Sequence, residues 1–283
     1  MKIVVAVVFD IHHCYGYAQT LGGGTIFSFY GEGCKLHDWV MLSCIENKGR
    51  HEAPHAHTAD TIFSGKLVAL DTEGVQIKQE KESKAKNWPA HLALLFPNGQ
   101  SLSYQILVPK GYYVSNFLTQ FSGLHSYNYG IYGDRSVLDA KVVTLKELIE
   151  ELKEVCQNAY LLAHDGAADL RMLGFPNTEL CPFGIGIYDT MHQLPFVNSG
   201  PNPPAFRKLA DLTKDFLGQL IQTCGHDPFI DAKCTFKLFL FLLTHGESVT
   251  VGHLQPTNCP ICWKNMKNIV ALKQHTNSFH CCK

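Results

Sequence analysis

Apolar positions along this chain recur with two periods. Residues 3–9 form an apolar run of seven closed by Asp10, as a short strand does. Residues 67–70 form a second continuous run, the pattern of a central strand covered on both faces, and it ends in Asp71-Thr72-Glu73. Two more strand-like runs follow at 92–96 and 102–108, with Pro97-Asn98-Gly99 between them as a turn, so three strands in meander order are predicted. The charged stretch 78–86 reads as a solvated loop. The period then becomes helical: Leu145, Leu148, Ile149, Leu152 and Val155 share one face, and Thr144 with Glu147 three residues later makes a capping-box signature. A short strand at 160–163 comes next. Phe206, Leu209, Leu212 and Phe216 mark another helix, closed by Gly218. Residues 229–243 are apolar all round, which predicts a helix buried between other elements. A meander, then a helix, then a strand predicts an α/β fold, a mixed sheet with helices on its faces.

Composition adds limits. The chain has 283 residues, 46% of them hydrophobic, enough for about two domains with real cores. Its 24 basic and 25 acidic side chains leave a net charge of -1, so the field of the whole molecule does not draw it to nucleic acid or to an anionic membrane. No segment reaches the ~18 uninterrupted apolar residues of a membrane span, and no membrane partner is expected. Residues 257–283 hold Lys264, Lys267, Lys273 and Lys283 and no Asp or Glu, so this end is a basic island beside a remainder of -5. Residues 1–64 carry the glycine run Gly22 to Gly24 and His51, His55 and His57, and resemble no motif. Cys34, His37, Cys44 and His51 lack a tight ligand pair and read as ordinary thiols and imidazoles.

Three acidic fragments carry candidate chemistry. On a strand, residues two apart point the same way, so Asp71 and Glu73 place two carboxylates side by side, as a hard divalent cation requires. Asp169 falls in the first turns of a helix after the 160–163 strand. Asp231 opens the apolar helix, with His226 on the loop before it. Each alone has a plain explanation as a cap, a dipole contact or a solvated side chain. Their order and context resemble the three motifs of the DEDDh, RNase T-like 3′→5′ exonuclease superfamily, and most closely its Rex-type and interferon-stimulated RNA exonuclease branch. ALDTEGV (69–75) is similar to that branch's Asp-Cys-Glu-Met-Val, with Thr72 and Gly74 in place of Cys and Met. LLAHDGAADLRML (161–173) keeps its His-x4-Asp-Leu-x-x-Leu, and HDPFIDAKCTFKLF (226–239) resembles the third motif, with His five positions before Asp231. YDTM (188–191) and KLADLTKDFLGQLIQ (208–222) are similar to the branch's Asp-Thr strand and following helix.

This resemblance implies an RNase H-like mixed five-stranded sheet flanked by helices over 65–247. It implies that Asp71, Glu73, Asp169 and Asp231 bind two Mg²⁺ or Mn²⁺ ions, and that His226 takes the proton from the attacking water. The implied partner is the 3′ end of single-stranded RNA or DNA, RNA being favoured, and the implied product is a nucleoside 5′-monophosphate. A single-stranded DNA exonuclease and a non-catalytic zinc-finger nucleic-acid-binding protein are the alternatives.

Cys259-x2-Cys262-x12-His275-x4-His280 fits a two-Cys, two-His zinc site, a ββα finger at 257–283 reached by a linker at 248–256. A structural Zn²⁺ is expected there. The spacing also points to a reduced, intracellular setting for the eleven cysteines; nucleus and cytoplasm are not resolved, the nucleus being slightly favoured.

Overall fold

The computed structural model describes residues 2–12, 15–20, 26–30, 34, 38–44, 55–81, 84–126, 139–175, 183–193, 196 and 206–245. The first apolar run is a strand, β1 (Lys2–His12), longer than its hydrophobic part. With β2 (Tyr15–Thr20), β3 (Ile26–Tyr30), β4 (Asp38–Cys44) and β5 (His55–Ser64) it closes a barrel in the order β1-β2-β3-β5-β4. β3 and β5 run parallel and the other neighbouring pairs antiparallel. Val8, Ala18, Phe27 and Val40 are buried in it. No repeat or motif in the sequence points to this barrel, and closure is what removes the exposed edges of its strands.

The second sheet begins one residue later, at β6 (Lys66–Lys78), followed by β7 (Lys86–Leu95), β8 (Ser101–Ile106), β9 (Tyr113–Asn116), β10 (Lys141–Val143), β11 (Ala159–Ala163) and β12 (Gly186–Asp189). The predicted meander is present: β6, β7 and β8 pair antiparallel in sequence order. β11 then adds to the other side of β6, parallel, and β12 adds parallel to β11. The resulting order β8-β7-β6-β11-β12 is the RNase H-like arrangement, with β6 at the centre.

The expected strand count is corrected from five to seven. β10 pairs parallel with β8, and β9 pairs with the far end of β6. Both were illegible for the same reason: β10 has three residues and β9 has four, mostly exposed, so neither carries a period. β6 is also longer than its apolar run, so the Asp71-Thr72-Glu73 segment lies within the strand rather than at its end.

Five helices complete the described fold: α1 (Thr119–Ser122), α2 (Leu145–Val155), α3 (Gly166–Met172), α4 (Leu209–Leu217) and α5 (Pro228–His245). The capping box of α2 forms as read, Glu147 N–H donating to Thr144 Oγ1 at 3.3 Å and Thr144 N–H to Glu147 Oε2 at 2.7 Å. Gly218 closes α4 in the left-handed region at φ 64°. Phe206, read as part of that helix, lies before it and is exposed.

Alternation along β6 explains the layers. Val68 and Leu70 pack with Leu148, Leu152, Leu170 and Leu173 of the α2 and α3 side. Leu67 and Ala69 pack with Ala232, Phe236 and Phe239 of α5. Burying a Leu or Phe side chain stabilises the fold by about 1.5–3 kcal/mol, so these two layers fix β6 from both faces. The apolar reading of α5 is thereby explained: one face meets the sheet, and Leu238 and Leu242 meet Leu209 and Leu212 of α4. Among the described residues, no helix is long and apolar enough to cross a membrane.

Candidate active site

Three elements meet where the parallel strands β6 and β11 finish pairing. In open α/β sheets ligands bind beyond the carboxyl ends of parallel strands, at the point where the chain order reverses; β6, with β7 on one side and β11 on the other, is that point. Continuing the alternation of β6, Asp71 and Glu73 fall on the α5 side. Thr72 lies between them, and its backbone N–H donates to Asp169 Oδ1 at 3.1 Å, tying α3 to the strand.

α3 is set by a tight entry. Asp165 takes a left-handed conformation at φ 64° and its side chain makes no cap. The cap comes instead from Asp189 at the end of β12, whose Oδ1 accepts from Asp165 N–H and Oδ2 from Gly166 N–H, both at 3.1 Å. Gly166 must be small, since a Cβ there would stand 2.9 Å from the Ala163 Cβ. His164 Nε2 donates to Arg207 O at 3.0 Å while its Nδ1 meets Thr190 Oγ1 at 2.9 Å, joining the end of β11 to the segment before α4.

Asp231 sits in the first turn of α5, 1% exposed, and Asp227 caps that helix through Phe229 N–H at 2.9 Å. His226 stands just before it. Its Nδ1 lies 3.2 Å from Glu73 Oε1 and 3.5 Å from Asp231 Oδ2. Both neighbours are acceptors, so Nδ1 carries a proton, and in the neutral ring the lone pair is on Nε2. Glu73, His226 and Asp231 each offer a ligand atom within 4.8 Å of the others.

The electrostatics are those of anions crowded away from water. Asp71 and Asp169 are held well above the ordinary carboxylate range, by burial first and then by neighbouring carboxylates, Asp169 leading for Asp71 and Asp165 for Asp169. Burial pushes Asp231 up to about 6, against the opposing hydrogen bond from Gln222. Glu73 is raised by burial, while His226 beside it is raised chiefly by the hydrogen bond to Glu73. His91, opposite Glu73 on β7, is pushed down to about 4 by burial and is neutral; its Nε2 meets Ser103 Oγ at 2.8 Å.

Divalent cations suit this donor set. Asp71 Oδ2 and Asp231 Oδ1 are buried with no hydrogen-bond partner, and a buried carboxylate oxygen without a donor is costly unless a cation takes its place. The donors are carboxylate oxygens, which favour Mg²⁺ or Mn²⁺ over zinc.

All five predicted active-site residues, Asp71, Glu73, Asp169, His226 and Asp231, are thus brought to one place. The predicted zinc ligands Cys259, Cys262, His275 and His280 lie outside the described residues. Sequence reading did not single out the groups that seat the base. His226 N–H donates to Phe121 O at 3.0 Å, so the loop before α5 rests on α1. Gly123 follows α1 at φ 66°, and a Cβ there would lie 2.3 Å from His226 O; one at Gly225, φ 120°, would lie 2.6 Å from Gly123 Cα. The only trace of this in the sequence is a glycine just after Ser122 and another just before His226.

No family model and no curated protein matches the chain. Among solved structures it is similar to the Neurospora crassa Pan2 catalytic unit (protease and nuclease domain), at 15% identity and a TM-score of 0.47, over 84% of this chain and 45% of that one. It is also similar to the Saccharomyces cerevisiae apo Pan2 pseudoubiquitin hydrolase-RNA exonuclease module in complex with AAUUAA RNA, at 13% identity and a TM-score of 0.48, over 86% and 47%. The same module in complex with A7 RNA is 15% identical with a TM-score of 0.48, over 85% and 46%. The chain therefore spans slightly under half the length of these solved chains.

Proposed function

We propose that this protein is a divalent-metal-dependent 3′→5′ exonuclease of the DEDDh type, acting on single-stranded RNA ends and releasing nucleoside 5′-monophosphates. The observation that carries the reading is the convergence of four carboxylates and one imidazole on two sheet-facing helices and a central strand, with two carboxylate oxygens buried and unpartnered. Asp71, Glu73, Asp169 and Asp231 would hold the cations. The chemistry supplied by two divalent ions held there would be stabilisation of the negative charge that develops on a phosphodiester during hydrolysis. Glu73 orients the imidazole of the base: by accepting from Nδ1 it would leave His226 Nε2 to take the proton of the attacking water. Asp189 and Thr72 hold Asp169 in register with β6.

The test is purified protein with end-labelled RNA and DNA oligomers, with Mg²⁺, Mn²⁺ or chelator. Degradation is expected only with metal, slowed by a 3′-phosphate and indifferent to a 5′ block. Internal cuts in a circular substrate would sink the reading, and faster loss of DNA than RNA would move the substrate to DNA ends.

For the C-terminal end we propose a Zn²⁺ site at Cys259, Cys262, His275 and His280, whose lysines grip substrate phosphates. Deleting 257–283 is expected to weaken binding to long RNA and to flatten its salt dependence, because fewer counterions are released. Cleavage of a short oligomer should persist. A titration of both forms at several salt concentrations checks this, and an unchanged salt slope would assign the finger to a protein partner.

A further inference from the structure

We propose that Gln222 is a positioning residue of the metal site, which holds one oxygen of Asp231 so that the other is presented to a cation. Its Nε2 donates to Asp231 Oδ2 at 2.8 Å, closer than His226 Nδ1 at 3.5 Å, while Asp231 Oδ1 is left buried and without a donor among the described residues. The division of labour between the two oxygens is what an outer-layer hydrogen bond to a metal-ligating carboxylate produces.

The backbone says that this contact is maintained against strain. Gln222 sits at φ 59°, in the left-handed region that a glutamine rarely adopts. Its neighbours determine the loop from both sides: Ile221 packs with the cluster of Leu209, Leu212, Leu238 and Leu242, and Gln219 Oε1 accepts from Lys237 Nζ at 2.9 Å. Gly218 and Gly225 bracket the loop, yet glycine is absent at the strained position between them. A residue with a side chain stands where glycine would be easier, and its amide donates to Asp231.

The chemistry of the donor fits the role. An amide orients a carboxylate without cancelling the charge a cation needs, which a lysine or arginine at the same place would do. It also competes with His226, whose Nδ1 is 3.5 Å from the same Oδ2.

The inference rests on the reading of the site as a metal centre. The experiment is calorimetric titration of Mn²⁺ into the full chain without substrate, together with thermal melting, for the wild type, Gln222→Met and Gln222→Gly. Gln222→Met keeps length and bulk and loses the donor, and Mn²⁺ affinity should fall about 10- to 100-fold, the range for partners of metal ligands. Gln222→Gly also loses the donor but relieves the backbone, so its metal-free melting temperature should equal or exceed the wild-type value while its Mn²⁺ affinity falls as far. Wild-type affinity in Gln222→Met overturns the inference alone. A Gln222→Gly protein that loses stability and affinity together overturns it too, by making Gln222 a merely structural residue. A wild type that binds no Mn²⁺ overturns the reading of the site, and this inference with it.

Discussion

Asp71→Asn is expected to abolish Mn²⁺ binding and cleavage while making the metal-free protein more stable. Metal stabilisation of a phosphoryl transition state is worth several kcal/mol, and a loss of about 4 kcal/mol is about a thousandfold in rate. The gain in stability follows from the site itself. Asp71 is raised by burial and by the carboxylates around it, so folding without a cation forces the chain either to bury that charge or to keep a proton on it. The sign is the reverse of an ordinary paired aspartate. Because the folded-state value lies above the unfolded one, the folded protein binds the extra proton, and the group's contribution to stability falls as pH rises from about 4 toward the folded-state value. Asn mimics the protonated form at every pH. The difference in melting temperature between Asp71→Asn and the metal-free wild type should therefore be small near pH 4 and widen toward pH 7. Mn²⁺ should raise the wild type and leave the variant unmoved. Melting curves across pH with and without Mn²⁺ read this directly, and a variant that cuts end-labelled RNA at the wild-type rate would remove Asp71 from the site.

The second large effect is expected at a residue with no functional group. Gly123→Ala places a methyl group 2.3 Å from the His226 carbonyl, in a backbone conformation that costs an L-residue about 1–2 kcal/mol. The His226 loop has to shift. A displacement of about 1 Å in a proton-accepting group is worth about 10²-fold in rate, so kcat should fall by that order. The carboxylates stand on β6, α3 and α5 and do not depend on Gly123, so Mn²⁺ affinity should hold within about twofold of the wild type. Single-turnover cleavage beside metal titration separates the two. Equal loss in both would make Gly123 a residue of the fold rather than of the base.

What the sequence discloses and what it hides divide along physical lines. The four carboxylates and His226 were legible through the resemblance of three motifs to the DEDDh superfamily, and Asp71 and Glu73 also through local geometry, two positions apart along a strand. The α2 capping box and the Gly218 cap were legible for the same reason, since both partners lie within one turn. Gln222, Asp189 and Gly123 act on residues 9, 23 and 103 positions away, Asp231, Gly166 and His226 respectively, and no local period encodes such pairs. β9 and β10 escaped because their pairing partners, not their own residues, make them strands. The barrel escaped because its runs are interrupted by Gly, His and Cys segments that look like loops until β4 and β5 bring them together.

The placement of β6 has a consequence for how such a site opens and closes. β6 is paired to β7 on one side and β11 on the other, and it is covered by α5 on one face and by α2 and α3 on the other. Amides in such a strand exchange with solvent only when the sheet as a whole comes apart, whereas His226 stands on a loop, its N–H donating to Phe121 O of α1 and its ring reaching Glu73 and Asp231. Asp71 and Glu73, which would hold charge, are thus frozen into the core of the sheet, and the group that would move a proton stands outside it, on a loop.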